Sequence, residues 1–219
     1  MPRWRRRAAL RYRDRMGEET PFYRRLRLLA ALPRAYFRFS VDGAERVPAR
    51  GACVVAANHV SYLDPVVLAM ACPRPVRFLV DRGQYVRPLV HWIAVRTGAI
   101  PVENAPSDLG SLRRTLAALR DGSVVGIFPE GGRSDDGSLK PGRPGAALLA
   151  LRAGVPLIPA AIVGAYEAYG RHHRFPRPRP VRVRFGAALD LPAGWQGPAA
   201  KHHAAEATAL LMERIAALR

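Results

Sequence analysis

The 219 residues contain no uncharged apolar stretch long enough to cross a bilayer, which takes about 20 residues. The best candidate, Ala146 to Tyr166, is broken by Arg152, Gly154, Pro156 and Pro159. A spanning helix is therefore not expected. Cysteine is scarce. Cys53 and Cys72 stand in apolar surroundings without paired spacing, which excludes a disulfide framework and a thiolate metal site. Histidine comes in two doublets, His172-His173 and His202-His203, in a basic loop and on a helix flank. No set of carboxylates or thiolates accompanies them, so a metal centre is not expected. Ser61 lacks the Gly-x-Ser-x-Gly elbow of an acyl-enzyme serine. The segment Met1 to Arg15 is too interrupted by arginine to hold the apolar core of a secretory signal. The expected location is cytoplasmic.

Acidic residues are few: 17 Asp and Glu against 35 Lys and Arg, a net charge of +18. Such an excess attracts polyanions: nucleic acid, an anionic membrane or an acidic carrier protein. Residues 1–38 hold twelve Arg and three acids, and Arg171 to Arg184 adds six Arg with no acid. No helix-turn-helix, zinc-ligand or aromatic RNA-platform signature accompanies them, so nucleic acid is not an expected partner. From Pro21, the residues Phe22, Leu26 and Leu29 share one helical face, with Arg24, Arg25 and Arg27 elsewhere. Pro33 is expected to kink or end that helix, and Tyr36, Phe37 and Phe39 to continue its apolar surface. Residues 1–40 thus form an expected amphipathic segment resting on an anionic membrane surface, peripheral or monotopic. Residues 41–219 form one domain.

Within that domain, short apolar runs alternate with helical patterns, as in α/β proteins. Expected strands are 52–57, 76–80, 99–102, 124–128, 157–163 and 181–185. Expected helices are 64–71, 87–97, 109–120, 146–153 and 200–218. The fold class is α/β: a central mixed, largely parallel sheet flanked by helices.

Two polar clusters follow apolar strands, where α/β proteins carry their chemistry. The first is Asn58-His59-Val60-Ser61-Tyr62-Leu63-Asp64. Asp64 can bond one ring nitrogen of His59 and leave the other for a substrate hydroxyl. The second is Pro129-Glu130-Gly131-Gly132-Arg133-Ser134. Its glycines let the backbone approach a ligand, and Arg133 offers a planar fork for phosphate oxygens. Glu130 can orient Arg133 or accept from a hydroxyl. A substrate carrying a hydroxyl and a phosphate a few ångströms apart fits the pair.

Together, Asn58-His59-x4-Asp64, then Phe128-Pro129-Glu130-Gly131-Gly132-Arg133-Ser134, then Val155-Pro156-Leu157-Ile158-Pro159 resemble the glycerolipid acyltransferase family. That family includes the 1-acylglycerol-3-phosphate acyltransferases. The resemblance covers roughly Phe39 to Tyr166. It implies that His59 deprotonates the acceptor hydroxyl and that Asp64 orients His59. It implies that Glu130, Gly131, Gly132 and Arg133 hold a lysophospholipid acceptor by its phosphate, with Asn58 and Ser61 beside them. The Val155–Pro159 block would shape a substrate pocket. The acyl donor would be a thioester of coenzyme A (acyl-CoA) or of acyl carrier protein, with no metal or other cofactor. Two positions depart from the family pattern. Gly132 replaces the usual Thr. In Gly98-Ala99-Ile100-Pro101-Val102-Glu103-Asn104, Asn104 stands where a phosphate-contacting Arg is usual. Either Arg96 or another base substitutes, or the acceptor has a larger head group or is a lyso-aminolipid. Acylation of glycerol-3-phosphate is the alternative reaction.

Overall fold

The computed structural model describes residues 31–103 and 109–219. Most of the expected amphipathic segment, and Asn104, lie outside the described residues. Among the described residues, seven strands form one sheet in the order β1-β7-β6-β2-β5-β3-β4. The strands are β1 (Ser40–Asp42), β2 (Cys53–Ala57), β3 (Val76–Asp81), β4 (Ile100–Val102), β5 (Val124–Ile127), β6 (Leu157–Val163) and β7 (Arg182–Phe185). All neighbouring pairs are parallel except β6 with β7. The mixed, largely parallel sheet expected from the sequence is present.

The central strands read as continuous apolar runs because helices cover both faces. In β2 every residue of Cys-Val-Val-Ala-Ala is buried. Cys53, Val55 and Ala57 point into one core with Val67, Leu68 and Ala71 of helix α2 (Asp64–Ala71). Val54 and Ala56 point into the other, against helices α5 (Leu109–Arg120), α6 (Gly145–Ala153) and α8 (Ala200–Leu218). Helix boundaries agree with the sequence patterns to within a residue. Helix α1 (Ala31–Tyr36) falls in the expected amphipathic segment, and three short elements have no counterpart in the sequence patterns: strand β1 and helices α3 (Arg82–Tyr85) and α7 (Ala165–Tyr169). Each is too short to show a hydrophobic period. Pro33 does not end α1, which runs on to Tyr36. The remaining helix, α4, is Pro88–Thr97.

The topology positions the two polar clusters. β2 and β5 are parallel neighbours, with Ala56 opposite Ile127. Three residues further along each chain stand His59 and Glu130. Both clusters therefore emerge from one edge of the sheet, side by side.

Candidate functional site

His59 Nδ1 lies 2.8 Å from Asp64 Oδ2. The same oxygen accepts the backbone N–H of Val60 at 2.6 Å and of Ser61 at 2.7 Å. Asp64 is fully buried, at the first turn of α2, where the helix dipole favours a carboxylate. Burial pushes its carboxyl above the usual range, and the His59, Ser61 and Val60 hydrogen bonds pull against that shift. Three donors converging on one oxygen fix the Asp64 rotamer. They fix the tautomer of His59 as well, because Nδ1 must be the protonated nitrogen facing Oδ2. The His59 side chain remains 17% exposed. Its ring stacks on Phe128 at 4.2 Å between centroids, and Phe128 stacks in turn on Phe78 at 6.0 Å. The imidazole is thus held by a carboxylate at one edge and an aromatic face on one side.

The second cluster is joined to the first through the main chain. Glu130 Oε1 accepts the His59 N–H at 2.6 Å and Glu130 Oε2 accepts the Lys140 N–H at 2.9 Å. Ser134 N–H donates to His59 C=O at 2.7 Å. Glu130 is 5% exposed, and burial pushes its carboxyl above the ordinary value. Gly131 has φ +70 and turns the chain where a Cβ would meet Arg143 Nε at 2.6 Å. Arg133 lies over the ring of Tyr62, with Cζ 3.4 Å from the centroid, a cation–π contact. Its Nη1 is buried without a hydrogen-bond partner among the described residues. Lys140 Nζ donates to Arg133 C=O at 2.7 Å. The loop that carries Arg133 is thus tied to His59 through the main chain, and among the described residues no carboxylate pairs with Arg133.

Several expected site residues brace the structure. Asn58 is fully buried. Its Nδ2 donates to Ile162 C=O at 3.0 Å and its Oδ1 accepts from Ile162 N–H at 2.7 Å. It locks the end of β2 to β6. Ser61, also fully buried, donates through Oγ to Tyr169 C=O at 2.7 Å and accepts from Leu63 N–H at 3.0 Å. Its hydroxyl is engaged by the main chain on both sides. Glu130 does not orient Arg133, since its two oxygens face the His59 and Lys140 amides. The block Val155–Pro159 enters β6 from the opposite end of the sheet, with Leu157, Ile158 and Pro159 buried. Leu157, Ile158 and Pro159 fill core, and because β6 runs parallel to β2 with Leu157 opposite Val54, the block begins at the end of the sheet away from His59. Arg96 sits at the end of α4, stacked on Trp92 at 4.0 Å. Gly132 is exposed, with open space around it.

Sequence reasoning gave no role to Tyr62 or Lys140, and it placed Phe128 at the head of the second cluster without its stacking on His59. An aromatic inside the four residues between His59 and Asp64 was a visible cue for Tyr62. Lys140 had none, being ten residues from Glu130 in sequence. Among the described residues, no three His, Cys, Asp or Glu side chains cluster as metal ligands, and no helix is long and apolar enough to cross a membrane.

Fold and site together define an α/β protein with a carboxylate-oriented histidine beside a cationic loop at the C-terminal edge of a parallel sheet. The sequence profile described as Acyltransferase matches residues 38–163, more than half of the chain. The chain belongs to the acyltransferase family. It is 31% identical over 132 residues to a chloroplastic 1-acyl-sn-glycerol-3-phosphate acyltransferase of Brassica napus, a match that covers 59% of this chain and 38% of the relative. It is 34% identical over 163 residues to a lyso-ornithine lipid O-acyltransferase of Pseudomonas aeruginosa, covering 70% of this chain and 59% of the relative. The chain thus spans less than two thirds of the length of these relatives. The crystal structure of the 1-acyl-sn-glycerophosphate acyltransferase PlsC from Thermotoga maritima shares the fold. Its TM-score is 0.72 at 21% identity, over 90% of this chain and 79% of that one.

Proposed function

We propose that this protein transfers a fatty acyl group from a thioester, acyl-CoA or acyl carrier protein, to the free hydroxyl of a lysophospholipid, with 1-acylglycerol-3-phosphate as the preferred acceptor. One observation carries the reading. His59 is tied through Nδ1 to a buried carboxylate, so its Nε2 lone pair is the one left for a hydroxyl. The cationic loop stands beside it, joined at Glu130 and Ser134 to the His59 main chain.

In this mechanism Nε2 removes the acceptor's hydroxyl proton as the oxygen attacks the thioester carbonyl. The O–C bond forms, the tetrahedral intermediate collapses, the C–S bond breaks, and His59 returns the proton to the leaving thiolate. Asp64 stabilises the imidazolium in between. General-base help of this kind contributes roughly 10²–10⁴-fold, and holding both substrates together supplies much of the rest. Arg133, lying on Tyr62 with Nη1 unpaired, receives the acceptor's phosphate. The steps need no metal or further cofactor. The acceptor would reach the site from the cytoplasmic face of a membrane.

A second acceptor class, a lyso-aminolipid, is supported by the 34% identity to the lyso-ornithine lipid enzyme. Purified protein incubated with acyl-CoA or an acyl carrier thioester and a panel of lysolipids, with products read by mass, tests both. Phosphatidate is the expected product. Transfer to none of the acceptors overturns the reading, and transfer to lyso-ornithine lipid alone replaces the acceptor.

A further inference from the structure

Residues 170–181 link α7 to β7 and are not needed for the chemistry above. They carry Phe175, which is 75% exposed. Single exposed apolar side chains are ordinary, but this one has apolar company. Tyr36 of α1 donates through its hydroxyl to Pro176 C=O at 3.0 Å, which places α1 against the loop. Tyr36 is 46% exposed, and Leu32, one turn earlier on the same helix face, is 77% exposed.

The loop is not slack. Arg177 N–H donates to Ala168 C=O at 2.8 Å, His173 N–H to Gly170 C=O at 3.1 Å, and Val181 N–H to Phe37 C=O at 2.9 Å. Pro176, Pro178 and Pro180 restrict the backbone between these anchors. The backbone holds the aromatic outward.

Charge surrounds it. From Tyr169 to Ala188 there are six Arg and no acid. Arg171 pairs with Asp135, and Arg182 and Arg184 with Asp42. Among the described residues no carboxylate pairs with Arg174, Arg177 or Arg179. The patch also abuts the catalytic side. Tyr169, which precedes the loop, accepts from Ser61 Oγ at 2.7 Å through its C=O, and its ring lies 5.4 Å from that of Tyr62.

We propose that this loop docks the protein on an anionic bilayer, with Phe175 entering the acyl boundary and Arg174, Arg177 and Arg179 at the headgroup phosphates. A cation every two or three residues around an aromatic tip suits the headgroup–acyl boundary, where apolar and anionic groups meet within a few ångströms. A soluble acidic partner would satisfy the arginines and offer no apolar phase to Phe175. Docking there sets the Tyr62 and Arg133 side of the site at the lipid surface, where the proposed acceptor resides; that consequence rests on the acyltransferase reading, whereas adsorption itself does not.

The test uses the full chain with Phe175→Cys labelled by an environment-sensitive dye. Cys53 and Cys72 are 0% and 2% exposed, so the label goes to position 175. Phosphatidylglycerol vesicles should shift the emission to the blue, and phosphatidylcholine vesicles should not. No shift on phosphatidylglycerol overturns the proposal, as does a shift produced by an acyl carrier protein but not by vesicles. In parallel, the combined variant Arg174→Gln, Arg177→Gln, Arg179→Gln should bind phosphatidylglycerol vesicles roughly 100-fold more weakly, from the per-residue attraction of basic groups to anionic lipid. Its turnover of a monomeric short-chain acceptor should be unchanged. Undiminished vesicle affinity in a folded triple variant overturns the docking surface. A wild-type protein that shows the vesicle-induced shift but no acyl transfer with any acceptor overturns the catalytic reading and leaves the docking surface supported.

Discussion

The main-chain N–H of His59 donates to Oε1 of Glu130 at 2.6 Å, across 71 residues of sequence. The bond joins the two loops that leave neighbouring strands, and Ser134 N–H closes it from the other side by bonding His59 C=O. The imidazole and the Arg133 guanidinium are thus carried on loops that cannot separate without breaking these hydrogen bonds. Glu130 acts as a positioning residue in this arrangement.

Replacing His59 by Ala should lower acyl transfer by roughly 10²–10⁴-fold while thermal unfolding changes little, since the side chain is partly exposed and the loop is held by its main chain. Steady-state turnover beside a melting curve checks this. Unchanged turnover removes His59 from the mechanism.

Asp64→Asn should impair both turnover and stability. Val60 N–H, Ser61 N–H and His59 Nδ1 all address Oδ2, so the Asn amide oxygen must take that place; the three bonds then lose their charge assistance, and the NH₂ falls where Asp64 Oδ1 is buried without a hydrogen-bond partner among the described residues. The expected destabilisation is about 1–3 kcal/mol by denaturant titration. Unchanged turnover in a folded Asp64→Asn protein would show that Asp64 does not orient His59.

Glu130→Gln carries a pH signature. Burial raises the Glu130 carboxyl above its ordinary 4.5, against the Lys140 and His59 amide hydrogen bonds. The folded protein therefore binds that proton more tightly than the unfolded chain does. The associated stability is present below 4.5 and is lost as the pH rises through the raised value. The variant lacks this slope. Urea midpoints measured from about pH 4 to pH 7 should show the wild-type advantage over Glu130→Gln narrowing as pH rises. A gap that widens with pH would show a depressed carboxyl instead.

Adjacent glycines should respond differently. Gly131→Ala places a Cβ at φ +70, 2.6 Å from Arg143 Nε, and should cost about 1–2 kcal/mol or more. Gly132→Thr meets only Lys140 Nζ, at 3.9 Å, and should leave the melting temperature nearly unchanged. Melting curves of the two variants beside the wild type check the contrast.

Arg133→Ala and Tyr62→Leu should each raise the KM of a phosphate-bearing acceptor, the first by roughly 10- to 100-fold, with little change for the thioester. Tyr62→Phe keeps the ring under the guanidinium and should retain the wild-type value. A KM effect confined to the acyl donor would move the phosphate elsewhere.

The alternation of strands and helices, the parallel character of the sheet and the pairing of His59 with Asp64 were all legible in the order of residues. They follow from local pattern: apolar runs buried on both faces, and two polar residues close enough along the chain to meet. The roles of Asn58, Ser61 and Glu130 became visible only in three dimensions. Their residue types suit substrate contact and bracing equally well. The difference lies in partners 104, 108 and 71 residues away, which strand order alone brings near. Likewise the Val155–Pro159 run shows its apolar character in sequence, but the direction of β6 makes it enter the sheet from the end away from His59.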